Sequence, residues 1–335
     1  MLVVDDIATN LKVANGLLLP YEMNVDLCVN GYEAIDAIKE KHYDLVFMDH
    51  RMPGIDGVET TRQIRDMGDE DEYYANIPIV ALTANAVSGM KEMFISNGFN
   101  DFMSKPIDLT KLSSVLERFI PKERRKAYVD KRSSAALSGS SFSVEGLDVG
   151  KGILLTGGTL EYYLETLATF YIDGQDRMND IAKCLESNNI PLFITNVHAM
   201  KSASANIGAG EVSEAAYALE MAGLQEDMKF VNENTDSFLR MLRELLENIH
   251  SALLARSSEV RDKGDLIDPG ELKALLIYLK TALESFDIDG INQNIDKVLH
   301  SKLNDDTMNV VREISKHTLV AEYDEAVELI DTLLD

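Results

Sequence analysis

The sequence predicts a multidomain protein: an α/β domain with a doubly wound, five-stranded parallel sheet, then an all-α four-helix bundle, then a small helical C-terminal segment. Three observations lead there. Short continuous apolar runs alternate with amphipathic stretches through residue 121, the pattern of a parallel sheet covered on both faces. From Val144 onward the apolar spacing is helical. The length of 335 residues, at about 150 per domain, points to more than one core.

Met1–Val4 is the first strand, ending in Asp5-Asp6, and Thr9–Leu19 the first helix. Asn24–Val29 is a weak strand, Gly31–Lys41 a helix, and Asp44–Met48 a compact strand ending in Asp49. After a Pro/Gly turn come a helix around Val58–Met67, strand Ile79–Leu82, helix Gly89–Asn97, strand Asp101–Met103 and helix Leu109–Phe119. Met1 starts almost inside the first strand, as expected of a chain cut from something longer.

Residues 122–142 form a linker: Lys122, Arg124, Arg125, Lys126, Lys131 and Arg132 precede a run of serine, alanine and glycine. Docking of this basic cluster on the acidic loop Asp69–Glu72 is the other reading. Helices at Leu160–Tyr171, Met178–Leu185, Leu192–Ile207, Val212–Met221 and Phe230–Leu254, with short turns between, describe an antiparallel bundle over 143–254. The remaining helical module, 262–335, has no assigned role. In it Asp289, Ile295, Asp296 and Leu299 recur 35 residues later as Asp324, Ile330, Asp331 and Leu334, each copy the second helix of a hairpin; chance similarity is the alternative.

With 32 basic and 57 acidic residues the net charge is −25, which repels nucleic acid and anionic lipid. No apolar run approaches the ~20 residues of a membrane span, and no signal peptide opens the chain. A cytoplasmic location, with no nucleic-acid partner and no direct membrane contact, is expected. The two cysteines, Cys28 and Cys184, cannot build a disulfide framework.

Asp5, Asp6 and Asp49 end the first and third strands, so a sheet with those strands adjacent brings three carboxylates to one edge. Like charges so close call for a cation, and an oxygen-only donor set favours Mg²⁺. Thr83 ends the fourth strand with a hydroxyl, and Lys105 follows the fifth with an ammonium. The Lys105-Pro106 bond is a candidate for a fixed, cis geometry. The set suits in-line phosphoryl transfer onto Asp49.

Four blocks carry a family resemblance: Met1-Leu-Val-Val-Asp-Asp6, Met48-Asp-His-Arg-Met-Pro-Gly-Ile-Asp-Gly57, Pro78-Ile-Val-Ala-Leu-Thr-Ala-Asn85 and Phe102-Met-Ser-Lys-Pro-Ile107. Residues 1–121 resemble a response-regulator receiver domain of flavodoxin-like fold. The resemblance implies that Asp49 is the phosphoacceptor, and that Asp6, Asp49 and the Arg51 backbone carbonyl bind Mg²⁺, with Asp5 helping through water. It also implies that Thr83 senses the phosphate with Lys105, and that Phe102 rotates inward as the switch aromatic. His50 is expected to offer its backbone N–H to the phosphate, and Arg51 and Asn85 to flank the pocket.

In the bundle, Phe193, Val197, Met200, Ser204 and Ile207 follow the spacing of a packed face, while His198, Lys201 and Ser202 fall on another. A solvent-facing imidazole near its ordinary pKa is expected there. Gly146-Leu-Asp148, Gly157-Gly158, Leu160-Glu-Tyr-Tyr163, His198-Ala-Met-Lys-Ser-Ala-Ser204, Ile207-Gly-Ala209 and Leu219-Glu220 resemble a histidine phosphotransfer domain over 143–254. By that resemblance His198 carries the phosphoryl group, Lys201 supports it, and the bundle docks onto a receiver. Ser202, at the docking face, stands where the family commonly has glycine.

The combination implies a phosphorelay module lacking the ATP-binding core, similar to the C-terminal part of a hybrid sensor histidine kinase. No P-loop or nucleotide glycine box is present. Its implied partners are a sensor histidine kinase core, in cis or in trans, and a downstream response-regulator receiver. The alternative is a standalone regulator whose receiver controls the helical region as a protein-binding output.

Overall fold

In a computed structural model, which describes residues 1–69, 71–84, 90–122, 142–263, 267–284, 288–301, 303, 305–319 and 323–334, five strands form one parallel sheet. They are β1 (Leu2–Val4), β2 (Asp26–Cys28), β3 (Val46–Asp49), β4 (Ile79–Thr83) and β5 (Asp101–Ser104), in the order β2-β1-β3-β4-β5. Between them run α1 (Ala8–Leu18), α2 (Gly31–Glu40), α3 (Gly57–Asp66), α4 (Glu72–Asn76) and α5 (Met90–Ser96), and α6 (Leu109–Phe119) follows β5. This is the doubly wound sheet that the alternating apolar runs predict; only the five-residue α4, too short for a periodic signal, escapes them.

Side chains alternate along each strand. Val3, Phe47, Val80, Leu82 and Met103 join the core under α1 and α6. Leu2, Val4, Val46, Met48, Ile79 and Ala81 join the core under the helices of the other face. Strand order reverses between β1 and β3, so a crevice opens beyond their carboxyl ends. Asp5 and Asp6 follow β1 and Asp49 closes β3 at that crevice.

Most of these helices begin on a side-chain cap. Asn30, Asp56 and Asp108 accept from the N–H groups of Glu33, Glu59 and Lys111. α1 differs, because the apolar Ile7 occupies its N-cap.

The chain folds as two compact units, Met1–Ala252 and Leu253–Asp335. The first holds the sheet domain together with α7 (Val149–Leu155), α8 (Leu160–Glu186), α9 (Ile190–Asn206), α10 (Gly210–Leu224) and most of α11 (Met228–Lys263). α8 is one helix of 27 residues where the apolar spacing predicts two. The gap in that spacing is not a turn. Asp173 and Arg177 lie on the face of α8 that meets the sheet domain, and Gly174 packs closely on Leu246 of α11.

α8 and α1 share a polar seam. Tyr162 donates to the Lys12 carbonyl at 2.7 Å, and Glu165 pairs with the Lys12 ammonium at 2.8 Å. Asp173 accepts from the backbone N–H of Thr9 at 2.7 Å and its hydroxyl at 2.6 Å, supplying from α8 the cap that α1 lacks. At Gly16 a Cβ would strike the Tyr162 ring and the Thr156 carbonyl, so the close approach of α1 requires glycine there.

The second unit contains α12 (Pro269–Glu284), α13 (Ile288–His300), α14 (Asp305–Leu319) and α15 (Tyr323–Leu334). Leu276, Leu279, Leu283, Ile291, Ile295, Val298, Val311, Ile314, Ala326 and Ile330 make its core. The repeat-bearing helices α13 and α15 are the second members of two successive hairpins, and Ile295 and Ile330 are buried in matching positions. Lys280 clasps both carboxylate oxygens of Asp331 at 2.6 and 2.7 Å. Asn85 and most of the linker, 123–141, lie outside the described residues.

The Gly16→Ala variant should separate two effects. Alanine favours an isolated α1 by up to about 1 kcal/mol, yet its methyl group forces α1 away from α8. Faster amide exchange at residues 9–12 in the full-length variant is the expected result; unchanged exchange there would show that the seam tolerates the methyl.

Candidate functional site

One carboxylate oxygen from each of Asp5, Asp6 and Asp49 lies within 4.8 Å of the others. Register places them: Val4 is opposite Met48, so the residues that follow on β1 and β3 reach the same edge. Gly57 makes room, since a Cβ at that position would strike the Asp49 carbonyl. Lys105 arrives from the end of β5 with its ammonium 2.5 Å from Asp5 Oδ2 and 2.9 Å from Asp49 Oδ2. Its peptide bond to Pro106 is cis.

Charge and burial compete here. Burial pushes Asp5 up to about 6, against the pull of Lys105 and with repulsion from Asp49 added. Burial and the neighbouring Asp5 and Asp49 push Asp6 up to about 7. Asp49 goes the other way: burial opposes its ionisation, but Lys105 and His50 hold the carboxyl well below the usual carboxylate range. Lys105, though buried, is kept charged by Asp49 and Asp5, above the ordinary lysine value. Asp49 Oδ1 is buried without a hydrogen-bond partner, His50 Nδ1 lying 3.6 Å from it. An all-oxygen cluster with an unused anionic oxygen fits a hard divalent cation such as Mg²⁺.

Thr83 is fully buried at the end of β4, opposite Ser104. Phe102 is half-buried on β5, stacked on Phe94 at 6.0 Å, with Lys111 Nζ 4.4 Å from its ring centre. Phe94 meets the His50 ring edge-on at 5.8 Å, and His50 meets His198 edge-on at 5.3 Å. His50 does not offer its backbone N–H to the pocket; that group donates to the Leu82 carbonyl at 3.2 Å, extending the sheet ladder.

His198 is not solvent-facing as its helix spacing predicts. It is 2% exposed, and Lys201 and Ser202 are buried with it. The helix face that the apolar pattern leaves polar is covered within the same unit, with His50 of the sheet domain against it. Glu220 on α10 organises the group. It accepts from His198 Nδ1 at 2.6 Å, from Lys201 at 2.5 Å, and from Arg51 of the sheet domain at 3.2 Å.

Burial would raise the Glu220 carboxyl, but the His198 and Lys201 contacts bring it down to about 2. Burial lowers the pKa of His198 despite Glu220, and also that of Lys201. A neutral His198 donating from Nδ1 keeps an unprotonated Nε2, and Nε2 is buried without a hydrogen-bond partner. Ser202 turns its hydroxyl to the His198 carbonyl at 3.4 Å, along its own helix. Elsewhere in the first unit, His42 stacks on Tyr73 and His250 on Tyr171.

Two further strands of contact reach the acidic cluster across the seam. Arg177 on α8 donates to Asp6 Oδ2 at 2.8 Å, to the Asp6 carbonyl at 3.0 Å, and to Asn196 at 2.8 Å. Asn206 donates to Asn10 at 2.9 Å, and Asn10 to Asp5 at 3.0 Å. Sequence reasoning missed Arg177, Asp173 and the task of Glu220. The available signal was an acidic and a basic residue four apart, interrupting an otherwise apolar helical period.

Among the described residues no helix is long and apolar enough to cross a membrane. The family model of the response regulator receiver domain matches residues 1–117. The sensor histidine kinase GacS of Pseudomonas protegens is 30% identical over 229 residues, covering 68% of this chain and 25% of that protein. The signal transduction histidine-protein kinase BarA of Escherichia coli is 33% identical over 121 residues, 36% of this chain and 13% of that protein. The chain thus spans a quarter or less of the length of these relatives. Among solved structures, the magnesium-bound receiver domain of sensor histidine kinase PA1611 from Pseudomonas aeruginosa is 35% identical, covering 36% of this chain and 94% of that one, with a TM-score of 0.32. A chain from the co-crystal of the Saccharomyces cerevisiae histidine phosphotransfer protein Ypd1 with the receiver domain of Ssk1 is 31% identical, covering 35% and 86%, with a TM-score of 0.34. Residues 1–117 are a response-regulator receiver domain homologous to those of hybrid sensor histidine kinases.

Proposed function

We propose that the chain is a phosphorelay module in which Asp49 takes a phosphoryl group from phosphohistidine and His198 carries it between receiver aspartates. In this reading 1–121 is the receiver, 143–254 a four-helix-bundle histidine phosphotransfer domain, 122–142 their linker, and 262–335 an accessory helical module. The observation that carries it is a pair of buried atoms without hydrogen-bond partners, Asp49 Oδ1 and His198 Nε2, in residues on the two sides of one seam, with the His50 ring between the two regions.

Neither group needs a general base. Asp49 is held ionised by Lys105, and His198 keeps its one ring proton on the side of Glu220. In transfer, the P–Nε2 bond of phospho-His198 breaks as a P–O bond to Asp49 forms. The electron pair returns to Nε2, and the reverse step regenerates phosphohistidine. Lys105 and Lys201, one from each region, supply positive charge for the phosphoryl oxygens. Asp5, Asp6, Asp49 and the Arg51 carbonyl would hold Mg²⁺, which when bound neutralises charge on the same oxygens. Thr83 and Phe102 are the proposed switch pair, and Ser202 a small residue at the docking face.

The GacS similarity extends over 229 residues, further than the 117 of the receiver match, so likeness to a sensor histidine kinase continues beyond the receiver; we place the chain in the C-terminal part of a hybrid sensor kinase. The proposed partners are then a histidine kinase core and a downstream receiver, in a cytoplasmic setting.

Incubation with acetyl phosphate and Mg²⁺ should give base-labile label on Asp49, followed by acid-labile label on His198. The D49A variant should take up neither, and H198Q only the first; label on His198 in D49A would defeat the proposed route. Removing the orienting carboxylate in E220A should slow transfer between the two sites on the order of 10- to 100-fold, by analogy with the carboxylates that orient metal-binding histidines. Nitrogen chemical shifts of the His198 ring should move with it, toward a mixture of tautomers. Unchanged shifts and an unchanged rate would assign Glu220 to packing alone.

A further inference from the structure

Arg177 sits where a resident cation would be least compatible with it. Its guanidinium takes both Asp6 Oδ2 and the Asp6 backbone carbonyl, at 2.8 and 3.0 Å. Its other terminal nitrogen is held by Asn196, a buried side chain of α9, at 2.8 Å. The group is therefore aimed into the acidic cluster from the helical side of the seam. One turn earlier on α8, Asp173 binds the N-terminus of α1 through Thr9 and fixes the register of that approach.

We propose that Arg177 is a built-in competitor for the divalent-cation site, so that seating the helical region on the receiver and loading the cation oppose one another. This rests on the reading of Asp5, Asp6 and Asp49 as a magnesium site. A divalent ion bound there takes an oxygen of Asp6, and the guanidinium already uses Asp6 Oδ2. An ion settling on the remaining oxygen would face a fixed positive charge at close range in a poorly screened setting. The coupling is reciprocal: whatever factor docking costs the cation, the cation costs docking. Arg177 is thus a positioning residue that weakens cation loading while the helical region is seated, without abolishing it, so the metal can still serve transfer across the seam.

The test is calorimetric titration of the full-length chain with magnesium chloride. R177Q should bind Mg²⁺ about fivefold or more tightly than wild type, the lower end of typical coupling factors. D173N keeps Arg177 but gives up the charged cap on α1, and should also bind more tightly. Simple electrostatics predicts the opposite sign for D173N, because it deletes a negative charge. In wild type, saturating Mg²⁺ should speed amide exchange at Thr9, whose N–H points to Asp173. Equal or weaker Mg²⁺ affinity in R177Q would overturn the inference while leaving the magnesium reading intact. So would unchanged exchange at Thr9. Absence of Mg²⁺ binding in every variant would overturn both. Thermal melts of the variants establish that each is folded.

Discussion

Negative charge taken out of water has to be matched, and that requirement organises the seam between the sheet domain and the helices that follow it. Two buried acidic centres face the seam: the Asp5-Asp6-Asp49 cluster on the receiver, and Glu220 on the helical side. Each has a lysine from its own region, Lys105 and Lys201. Each also receives an arginine from the other, Arg177 on Asp6 and Arg51 on Glu220. The exchange of arginines ties the regions together at the points where phosphoryl chemistry would take place. It leaves His198 and Asp49 buried yet each with one side-chain atom that makes no hydrogen bond.

Where α1 meets the helical region, the seam is of the same character. Tyr162, Glu165, Asp173 and Asn206 meet α1 through hydrogen bonds and an ion pair, and Gly16 permits the close approach. Interfaces built this way resemble transient ones more than a domain core. By contrast, the two faces of the sheet are filled with aliphatic and aromatic side chains, and so is the four-helix core of the C-terminal unit.

Local pattern made the receiver legible. The inner strands β1, β3 and β4, buried on both faces, appear as short apolar runs, and the carboxyl ends of β1 and β3 mark where Asp5, Asp6 and Asp49 converge. Periodicity also found the helices around His198. It failed where polar residues serve a surface made by another part of the chain. Asp173 and Arg177 look like a break between two helices because one region's apolar period has no term for contacts with a second region. The same blindness placed His198 in solvent: a polar face can be wet, or it can be covered by a complementary polar face, and spacing alone does not distinguish them. The backbone N–H of His50 was misplaced for a different reason, since ladder hydrogen bonds depend on register with β4.

The cap on α1 has a mechanical consequence. Ile7 cannot accept a hydrogen bond through its side chain, so the first turn of α1 is finished by a side chain from α8. That turn begins immediately after Asp5 and Asp6, and Asp5 itself is tied to it through the Ile7 N–H and Asn10. Lifting α8 away leaves the Thr9 N–H to water and loosens the anchor of the loop that carries two of the three clustered acids. The stiffness of the acidic pocket therefore comes partly from the helix docked beside it, and the pocket softens whenever that helix lifts.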